Sequence, residues 1–157
     1  MDKFFNAQDA PLGKLAECYV TVGERRYTAM FAKNVEINMS VDTTEVPRLG
    51  TTIKGYRATG ASIKGKMTIY KCTEIFDDIV EEFKNTGLMP TFDIQVSNYD
   101  PATSIGRSSK IYTGCVIDGD VLLSAAQADG EHIEQEVNFY AQNYSTAEKY
   151  TNPSYME

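Results

Sequence analysis

The single histidine of this 157-residue chain limits the catalytic chemistry that it could perform. A Ser-His-Asp or Cys-His catalytic site would have to be built on His132, and a metal site with two histidines is impossible. His132 lies at a polar position of the alternating segment 130–137, where side chains face solvent or a lumen. The sequence therefore favours an exposed histidine over a catalytic base.

The three cysteines, Cys18, Cys72 and Cys115, are too widely spaced for a zinc site, whose ligand pairs lie two to four residues apart. Cys18 and Cys115 occupy apolar positions of alternating segments, where a small buried side chain is expected. We expect the cysteines to be reduced and structural.

Two further patterns are similar to ligand-binding motifs but lack essential residues. The segment 60–67 has the glycines and Lys66 of a phosphate-binding loop, but Met67 replaces the Ser or Thr that holds Mg²⁺. A calcium loop starting at Asp118 would have no side-chain ligands at 121–123, so turns are the better interpretation. Carboxylates are plentiful, yet nothing selects a catalytic pair. We expect no cofactor, no metal, no catalytic residue and no enzymatic activity.

The charge balance argues against a protein that binds nucleic acid through its phosphates. There are 15 Lys and Arg residues against 22 Asp and Glu residues, which gives a net charge of −7. Phosphate binding normally requires a surplus of cationic side chains. No apolar stretch approaches the ~18 residues of a membrane helix, and the N-terminal residues do not form a secretory signal. The expected compartment is the cytoplasm of the producing cell.

The elements that must position these residues are mainly strands. Apolar and polar residues alternate over 35–42, 92–97 and 133–139, with Gln135 as a polar exception on an apolar face. Successive side chains of a strand point to opposite faces, so each segment has one buried face. This alternation is typical of antiparallel sheets that expose one face to solvent or to a polar cavity.

The remaining sheet is predicted from shorter signals. A hairpin around Gly23 should join 18–22 to 26–31. Further strands are predicted near 61–71 and 110–118, and a last pair through 121–123 and 131–141.

One amphipathic helix is predicted over 73–84, with Thr73 as its N-cap and with Gly87 and Pro90 at its end. Its apolar stripe consists of Ile75, Phe76, Ile79, Val80 and Phe83. The acidic residues on the opposite side are interpreted as a solvated face.

Two segments carry no element prediction within what we treat as a single domain, 1–157. Residues 42–60 contain Pro47 and several glycines and predict an extended loop, and loops of this length are usually functional. Residues 142–157 are polar and lack a core pattern. They predict a C-terminal arm that becomes ordered on a partner.

The stretch from Asn34 to Lys71 resembles the tail tube proteins of contractile phage tails, in particular those of PBSX-like prophages and phage-tail-like bacteriocins. The most specific part is Glu45-Val46-Pro47-Arg48-Leu49-Gly50 followed by Lys54-Gly55. The similarity continues through the helix, 90–96 and 112–118 to the strand that ends at Phe139, so it covers about residues 5–140. It departs at Tyr56-Arg57, where a His-Lys-like pair is expected, and at Ala61, where an aromatic residue is frequent.

The resemblance implies a mainly β subunit, a β-sandwich or half-barrel of antiparallel strands with one flanking helix. Six subunits would form a ring whose sheets join into one barrel around a channel, and the rings would stack into a tube inside a contractile sheath. The implied partners are further copies of the chain, the tail sheath protein, and tape-measure and baseplate or terminator proteins. In a phage, DNA would pass through without specific binding, and no membrane insertion is implied. The location would be a virion tail or a phage-tail-like particle assembled in the bacterial cytoplasm.

The resemblance also suggests which residues make the contacts. The loop 42–60 would reach the adjacent ring through Glu45, Val46, Pro47, Leu49, Gly50, Lys54 and Gly55. Lumen-lining candidates are Glu36, Asn38, Ser40, Glu134, Glu136 and Asn138. A neutral or negative lining avoids the affinity for DNA that cationic residues create. Lys64 and Lys66 are assigned to another polar face, where they would pair with carboxylates across subunits.

Three alternatives stay open at this point. The chain could form the inner tube of a related bacterial contractile secretion system, a β-sandwich module that binds a ligand, or an enzyme that uses carboxylates. The sequence leaves undecided whether the particle carries DNA, how long the tube is, and which strand face lines the lumen.

Overall fold

The computed structural model describes residues 4–29 and 32–156, and these residues form eight strands, one α-helix and two short 3-10 helices. The strands are β1 (Ala16–Val22), β2 (Arg25–Thr28), β3 (Ala32–Val46), β4 (Gly55–Tyr70), β5 (Phe92–Tyr99), β6 (Arg107–Asp118), β7 (Glu134–Ala141) and β8 (Asn143–Glu148). The helix α1 spans Ile75–Thr86, and the 3-10 helices span Ala7–Asp9 and Ser154–Met156.

All strand pairs are antiparallel, in the order β2-β1-β5-β6-β7-β4-β3, with β8 also paired to β6. The long strand β6 belongs to two layers, because its first part pairs with β5 and β8 and its last residues pair with β7. The change of layer falls at Gly114, which has a φ of +64°, and at Gln142, whose N–H donates to the carbonyl of Thr113 at 3.1 Å. The mainly β fold class with one helix is therefore confirmed.

The hydrophobic core lies between the two layers and beneath α1. The ring of Phe92 lies 5.8 Å from that of Phe139 in the opposite layer and 5.6 Å from that of Phe76 in the helix. Both pairs are edge-to-face, the arrangement that aromatic quadrupoles favour. The other fully buried large side chains are Val20, Met67, Ile69, Ile79, Ile94, Cys115 and Val137.

Several predicted elements are confirmed. The first hairpin forms with Val22 opposite Arg25, and Gly23 takes the positive φ of +62° that its turn requires. The part of that prediction on Met30 and Phe31 lies outside the described residues. Gly87, with a φ of +77°, ends α1 by donating its N–H to the carbonyl of Phe83 at 2.8 Å.

The segment 42–60 is not the irregular loop that was predicted. The strands β3 and β4 pair with each other as far as Val46 and Gly55, so only residues 47–54 form a connecting tip. Pro47 follows the last residue of β3, consistent with its lack of an N–H for a further ladder hydrogen bond. The backbone groups that point toward the partner strand are thus paired within the hairpin, whereas those on the outer sides have no strand partner among the described residues.

The C-terminal segment also differs from the prediction, because it packs on its own chain. After Gln142 the chain continues as β8, which pairs with β6. Further on, the hydroxyl of Tyr155 donates to the Asp9 carboxylate at 2.6 Å. The segment therefore has contacts within its own chain, through β8 and through Tyr155.

Two smaller predictions are corrected by the structure. Residues 121–123 form no strand, since the chain from 119 to 133 is irregular. The N-cap of α1 is Glu74, and the Thr73 hydroxyl instead accepts the N–H of Ile75 at 3.4 Å. The segment 60–67 lies within β4, in agreement with the interpretation that it is not a phosphate-binding loop, which would open a helix.

Candidate assembly surfaces

The outer part of the β3–β4 hairpin, residues 42–60, leaves the body of the subunit, and we call it the hairpin arm. Among the described residues β4 pairs with β7 only from Ile63 to Tyr70, so residues 55–62 of β4 have β3 as their single partner strand. The eight residues 55–62 of β4 then extend about 25 Å, at about 3.3 Å per residue. A two-stranded ribbon of this kind is only marginally stable by itself in water.

The tip of the arm has a defined conformation. The guanidinium of Arg48 donates to the carbonyl of Ile53 at 2.8 Å, and the N–H of Ile53 donates to the hydroxyl of Thr51 at 3.1 Å. Gly50 has a φ of +81°, which a residue with a side chain rarely adopts. A Cβ atom on Gly55 would lie 3.0 Å from the side chain of Arg48. Both glycines are therefore part of the turn geometry.

All the inter-ring contact residues predicted from the sequence lie on the hairpin arm, at its end. Leu49 is fully exposed, Val46 is exposed, and Lys54 forms an ion pair with Glu45 at 3.8 Å. Arg48 and the exposed side chains of Ile53 and Tyr56 lie at the same end of the arm, although the sequence prediction omitted them. Ile53 and Tyr56 could have been identified from the sequence, because two large side chains flank Lys54-Gly55.

The predicted lumen-lining residues share one face of the layer formed by β3, β4 and β7. In the strand register Glu36 is opposite Lys66, and Lys66 is opposite Asn138 on its other side. Directly opposed residues of a sheet point to the same face. We call this surface the polar face; it consists of Glu36, Asn38, Ser40, Lys64, Lys66, Glu134, Glu136 and Asn138.

The assignment of Lys64 and Lys66 to a different face is wrong. The ammonium of Lys66 lies 4.0 Å from Glu36 of the same chain, and that of Lys64 lies 5.7 Å from the ring centroid of Tyr140. At the end of this face Lys33 donates to Glu134 at 3.1 Å, and this hydrogen bond raises the pKa of Lys33. The polar face is thus a mixed-charge surface with partners supplied by its own subunit.

The layer that carries the polar face has open edges. β3 is last in the strand order and pairs only with β4, so its outer backbone groups have no strand partner among the described residues. On the other side of the layer, residues 116–118 of β6 pair with β7, whereas the pairing of β6 with β5 ends at Cys115. Open edges of this kind are templates for pairing with another chain.

The residues that could carry other chemistry are placed apart from one another. His132 is exposed and packs edge-on to Tyr70, with 6.1 Å between ring centroids. Burial raises the pKa of the Cys18 thiol to about 11 and that of Cys115 to about 12, which makes both poor nucleophiles near neutral pH. Within residues 4–29 and 32–156 there is no group of three or more side chains that could hold a metal ion.

The helix α1 is too short to cross a membrane, and no other described segment forms a longer apolar helix. Gln135, the polar exception noted in the sequence, is buried on the core side of β7. Within the described residues neither its oxygen nor its nitrogen has a hydrogen-bond partner.

Comparison with known protein families identifies the family to which this chain belongs. A family model described as "Phage tail tube protein" matches residues 3–148. The chain belongs to the phage tail tube protein family. Among curated relatives, the phage-like element PBSX protein XkdM of Bacillus subtilis (strain 168) is 28% identical over 144 residues, covering 91% of this chain and 94% of the relative. The uncharacterized protein YqbM of the same strain is 30% identical with the same coverage.

Solved structures with the same fold come from contractile particles. The anti-feeding prophage cap, described as a tube terminating cap, matches with a TM-score of 0.62 at 15% identity, covering 91% of this chain and 94% of that chain. The sheath-tube complex of an extracellular contractile injection system matches with a TM-score of 0.59 at 17% identity, covering 88% and 92%. The six-fold symmetrised anti-feeding prophage baseplate gives a TM-score of 0.58 at 6% identity, covering 83% and 91%. The tail tube fold of this chain is thus the fold of these particle components.

Proposed function

We propose that this tail tube protein is the structural, non-enzymatic subunit of the inner tube of a contractile phage tail or phage-tail-like particle. In this proposal copies of the chain form hexameric rings, and the rings stack into a conduit for DNA or for membrane puncture. The observation that carries the proposal is the combination of open edges in one layer with a hairpin arm that leaves the subunit.

Ring closure follows from the strand edges. A part of the outer edge of β3 that lies before the hairpin arm would pair with the free side of β6 in the neighbouring copy, around residues 116–118. Backbone hydrogen bonds then continue from one subunit to the next, which is strand addition between copies. The six-fold symmetry described for the structurally similar baseplate supports six copies in each ring.

The two layers support a proposal for the position of the lumen. One side of the β3–β4–β7 layer is covered by the second layer and by α1, and the other side is the polar face. A closed barrel offers more space outside than inside, so the second layer and the helix would lie outside and the polar face would line the channel. Its lysines have anionic or aromatic neighbours within the chain, which favours passage of DNA without strong binding.

The proposed partners are those of a tube inside a sheath. The outer surface of the tube would contact a sheath protein, the two ends would contact terminator and baseplate proteins, and a tape-measure protein would set the length. Assembly would take place in the cytoplasm of the bacterial host before release of the particle.

The test of this function is whether the purified chain assembles. We expect rings, and tubes of uniform width at higher concentration, in negative-stain electron microscopy, with sedimentation velocity showing growth with concentration. A chain that stays monomeric at millimolar concentration and binds or converts a small molecule would contradict the proposal.

A further inference from the structure

We propose that the tip of the hairpin arm docks on the exposed C-terminal half of α1 in a copy of the chain in the adjacent ring. This inference rests on the proposed tube function and names the surface that receives the arm. Four observations carry it: an unpartnered apolar stripe on α1, opposite charges on the two surfaces, an exposed apolar tip, and their attachment at opposite ends of β4.

The apolar stripe of α1 continues past the core of its own subunit. Phe76 and Ile79, in the first half of the helix, are buried in the core. Phe83, one turn further along the same stripe, is 47% exposed, and Leu88 just beyond the helix is 74% exposed. All of residues 81–88 are exposed. The sequence predicted that Phe83 packs with the rest of the stripe, but the described part of the subunit leaves about half of its surface uncovered.

The surroundings of this stripe are acidic. Residues 74–88 contain five carboxylates and one lysine. Asp77 is paired with Lys71, but over the described chain no cationic nitrogen lies within 4.0 Å of Asp78, Glu81 or Glu82. The exposed half of α1 therefore presents carboxylates beside apolar side chains.

The tip and the strand residues beside it have the complementary composition. Residues 45–57 contain three cationic side chains, Arg48, Lys54 and Arg57, and one carboxylate. The exposed apolar side chains of Leu49 and Ile53 lie among them. This cationic segment stands out in a chain whose net charge is −7. Complementary potentials with apolar contacts at the centre are typical of specific interfaces.

The two surfaces are attached to opposite ends of the same strand. The tip precedes Gly55 at the start of β4, and α1 begins shortly after Tyr70 at its end. The 16 residues between them span about 50 Å. Translating a second copy along β4 brings the tip of one subunit toward α1 of the next. Such a head-to-tail contact does not close on itself, so it generates an open stack.

The charges can be exchanged as a test. The tip variant carries Lys54→Glu and Arg57→Glu, the helix variant carries Glu81→Lys and Glu82→Lys, and the combined variant carries all of these. Arg48 is retained because it closes the tip. Each single-surface variant should raise the concentration needed for tube formation by about tenfold or more, and the combined variant should restore assembly. Matched controls are Lys14→Glu with Lys149→Glu, and Glu24→Lys with Glu131→Lys, which change the same charges at other exposed positions.

The outcomes separate the inference from the function on which it rests. If wild-type chain forms no rings or tubes, the proposed function fails. If wild type forms tubes and the helix variant assembles as well as wild type, the inference is overturned and the function stands. Loss of co-sedimentation with the sheath protein in that variant would then assign α1 to the sheath. Failure of the combined variant to restore assembly would also overturn the inference, provided that its circular dichroism matches that of wild type.

Disulfide trapping provides a second measurement. Leu49→Cys and Phe83→Cys are combined in a Cys72→Ser background, since Cys72 is exposed and the other cysteines are poorly reactive. Mild oxidation of assembled tubes should give a ladder of covalent multimers on a non-reducing gel, because each copy offers one tip and one helix. Either cysteine alone should give no ladder. Tubes that form normally but give no ladder with both cysteines would overturn the inference.

Discussion

At the scale of single residues, the close packing of the two layers depends on positions that have no side chain. Gly65 lies on β4 between Ile37 and Phe139, and a Cβ atom there would overlap the Phe139 ring and lie 3.0 Å from Ile37 Cγ1. Phe139 is fully buried and in contact with Phe92, so its ring has little freedom to move. The absence of a side chain at 65 is therefore a packing requirement, which alternation in the sequence does not reveal.

Substitution at this glycine should destabilise the subunit. We expect Gly65→Ala to lower the free energy of unfolding by about 1–3 kcal/mol, the usual cost of overpacking a core. Gly60→Ala is the matched control on the same strand, because its Cβ would meet nothing closer than the Asp42 carboxylate at 3.8 Å. Urea unfolding followed by circular dichroism measures both. Equal stabilities of the two variants would contradict this account of the packing.

A second residue-scale feature joins the two ends of the chain. The buried carboxylate of Asp9 accepts hydrogen bonds from the Tyr155 hydroxyl at 2.6 Å, the Ser104 hydroxyl at 2.8 Å and the Ser104 N–H at 2.9 Å. These bonds, with that from Tyr155 the largest contribution, hold the pKa of Asp9 below its usual value. The ionised carboxylate thus holds the C-terminal segment against the N-terminal one.

The stabilising effect of Asp9 should depend on pH. Because its folded pKa is below the unfolded value of about 3.9, its contribution is complete above that pH and is lost as the pH falls toward the folded pKa. We expect the difference in unfolding free energy between wild type and Asp9→Asn to be constant from pH 5 to 7 and to shrink below about pH 4. Tyr155→Phe should reduce this pH dependence. A difference that grows on acidification would contradict the assigned role.

At the scale of elements, the sequence predicted the strands that have one buried face and missed those that have none. The segments 35–37 and 92–97 alternate because a core lies on one side of them, whereas Met39 and Val41 continue the alternation although both are exposed. The arm has solvent on both sides in the isolated subunit, so its residues Asp42-Thr43-Thr44-Glu45 show no alternation. Strand β8 is similarly exposed, so it also lacks an alternating pattern. The opposite error occurs at 121–123, where three apolar residues predicted a strand but only Val121 packs against the core.

The composition of the polar face could be predicted only in part, because it depends on which strands are neighbours. Period two indicates which residues of one strand share a face, but not which strands are neighbours. The placement of Lys66 between Glu36 and Asn138 follows from the topology, in which β4 lies between β3 and β7. The charge balance of the surface therefore required the structure.

The arm can be removed at a point set by its register. Thr43 is paired with Ala58, so residues 44–57 can be replaced by Asn-Gly, which suits a two-residue turn. Because the arm buries none of the core side chains, we expect the shortened chain to fold with nearly unchanged stability and to stop at single rings. Electron microscopy and thermal unfolding test these two points. Tubes of normal length from the shortened chain would contradict the role of the arm in stacking.

At the scale of the whole molecule, the layer formed by β3, β4 and β7 has two proposed roles, and both depend on the same strand order. Its β3 and β6 edges would join neighbouring copies, while its polar face would line the resulting channel. These proposals are linked, because closing that layer into a barrel leaves the face opposite the core as the inner wall. Showing where the polar face lies in the assembly therefore tests the ring geometry as well.

Cysteine labelling can locate the polar face. Asn38→Cys, at an exposed position of that face, and Glu24→Cys, in the β1–β2 turn, are prepared in the Cys72→Ser background. In separate subunits both cysteines should react equally with a small maleimide and with a maleimide carrying a large polymer. In assembled tubes Asn38→Cys should keep its reaction with the small reagent and lose most of its reaction with the large one, because only the small reagent diffuses freely through a narrow channel. Glu24→Cys should react with both reagents.

The opposite pattern, with Glu24→Cys protected and Asn38→Cys open to the large reagent, would put the polar face outside and would require the second layer and α1 to line the lumen.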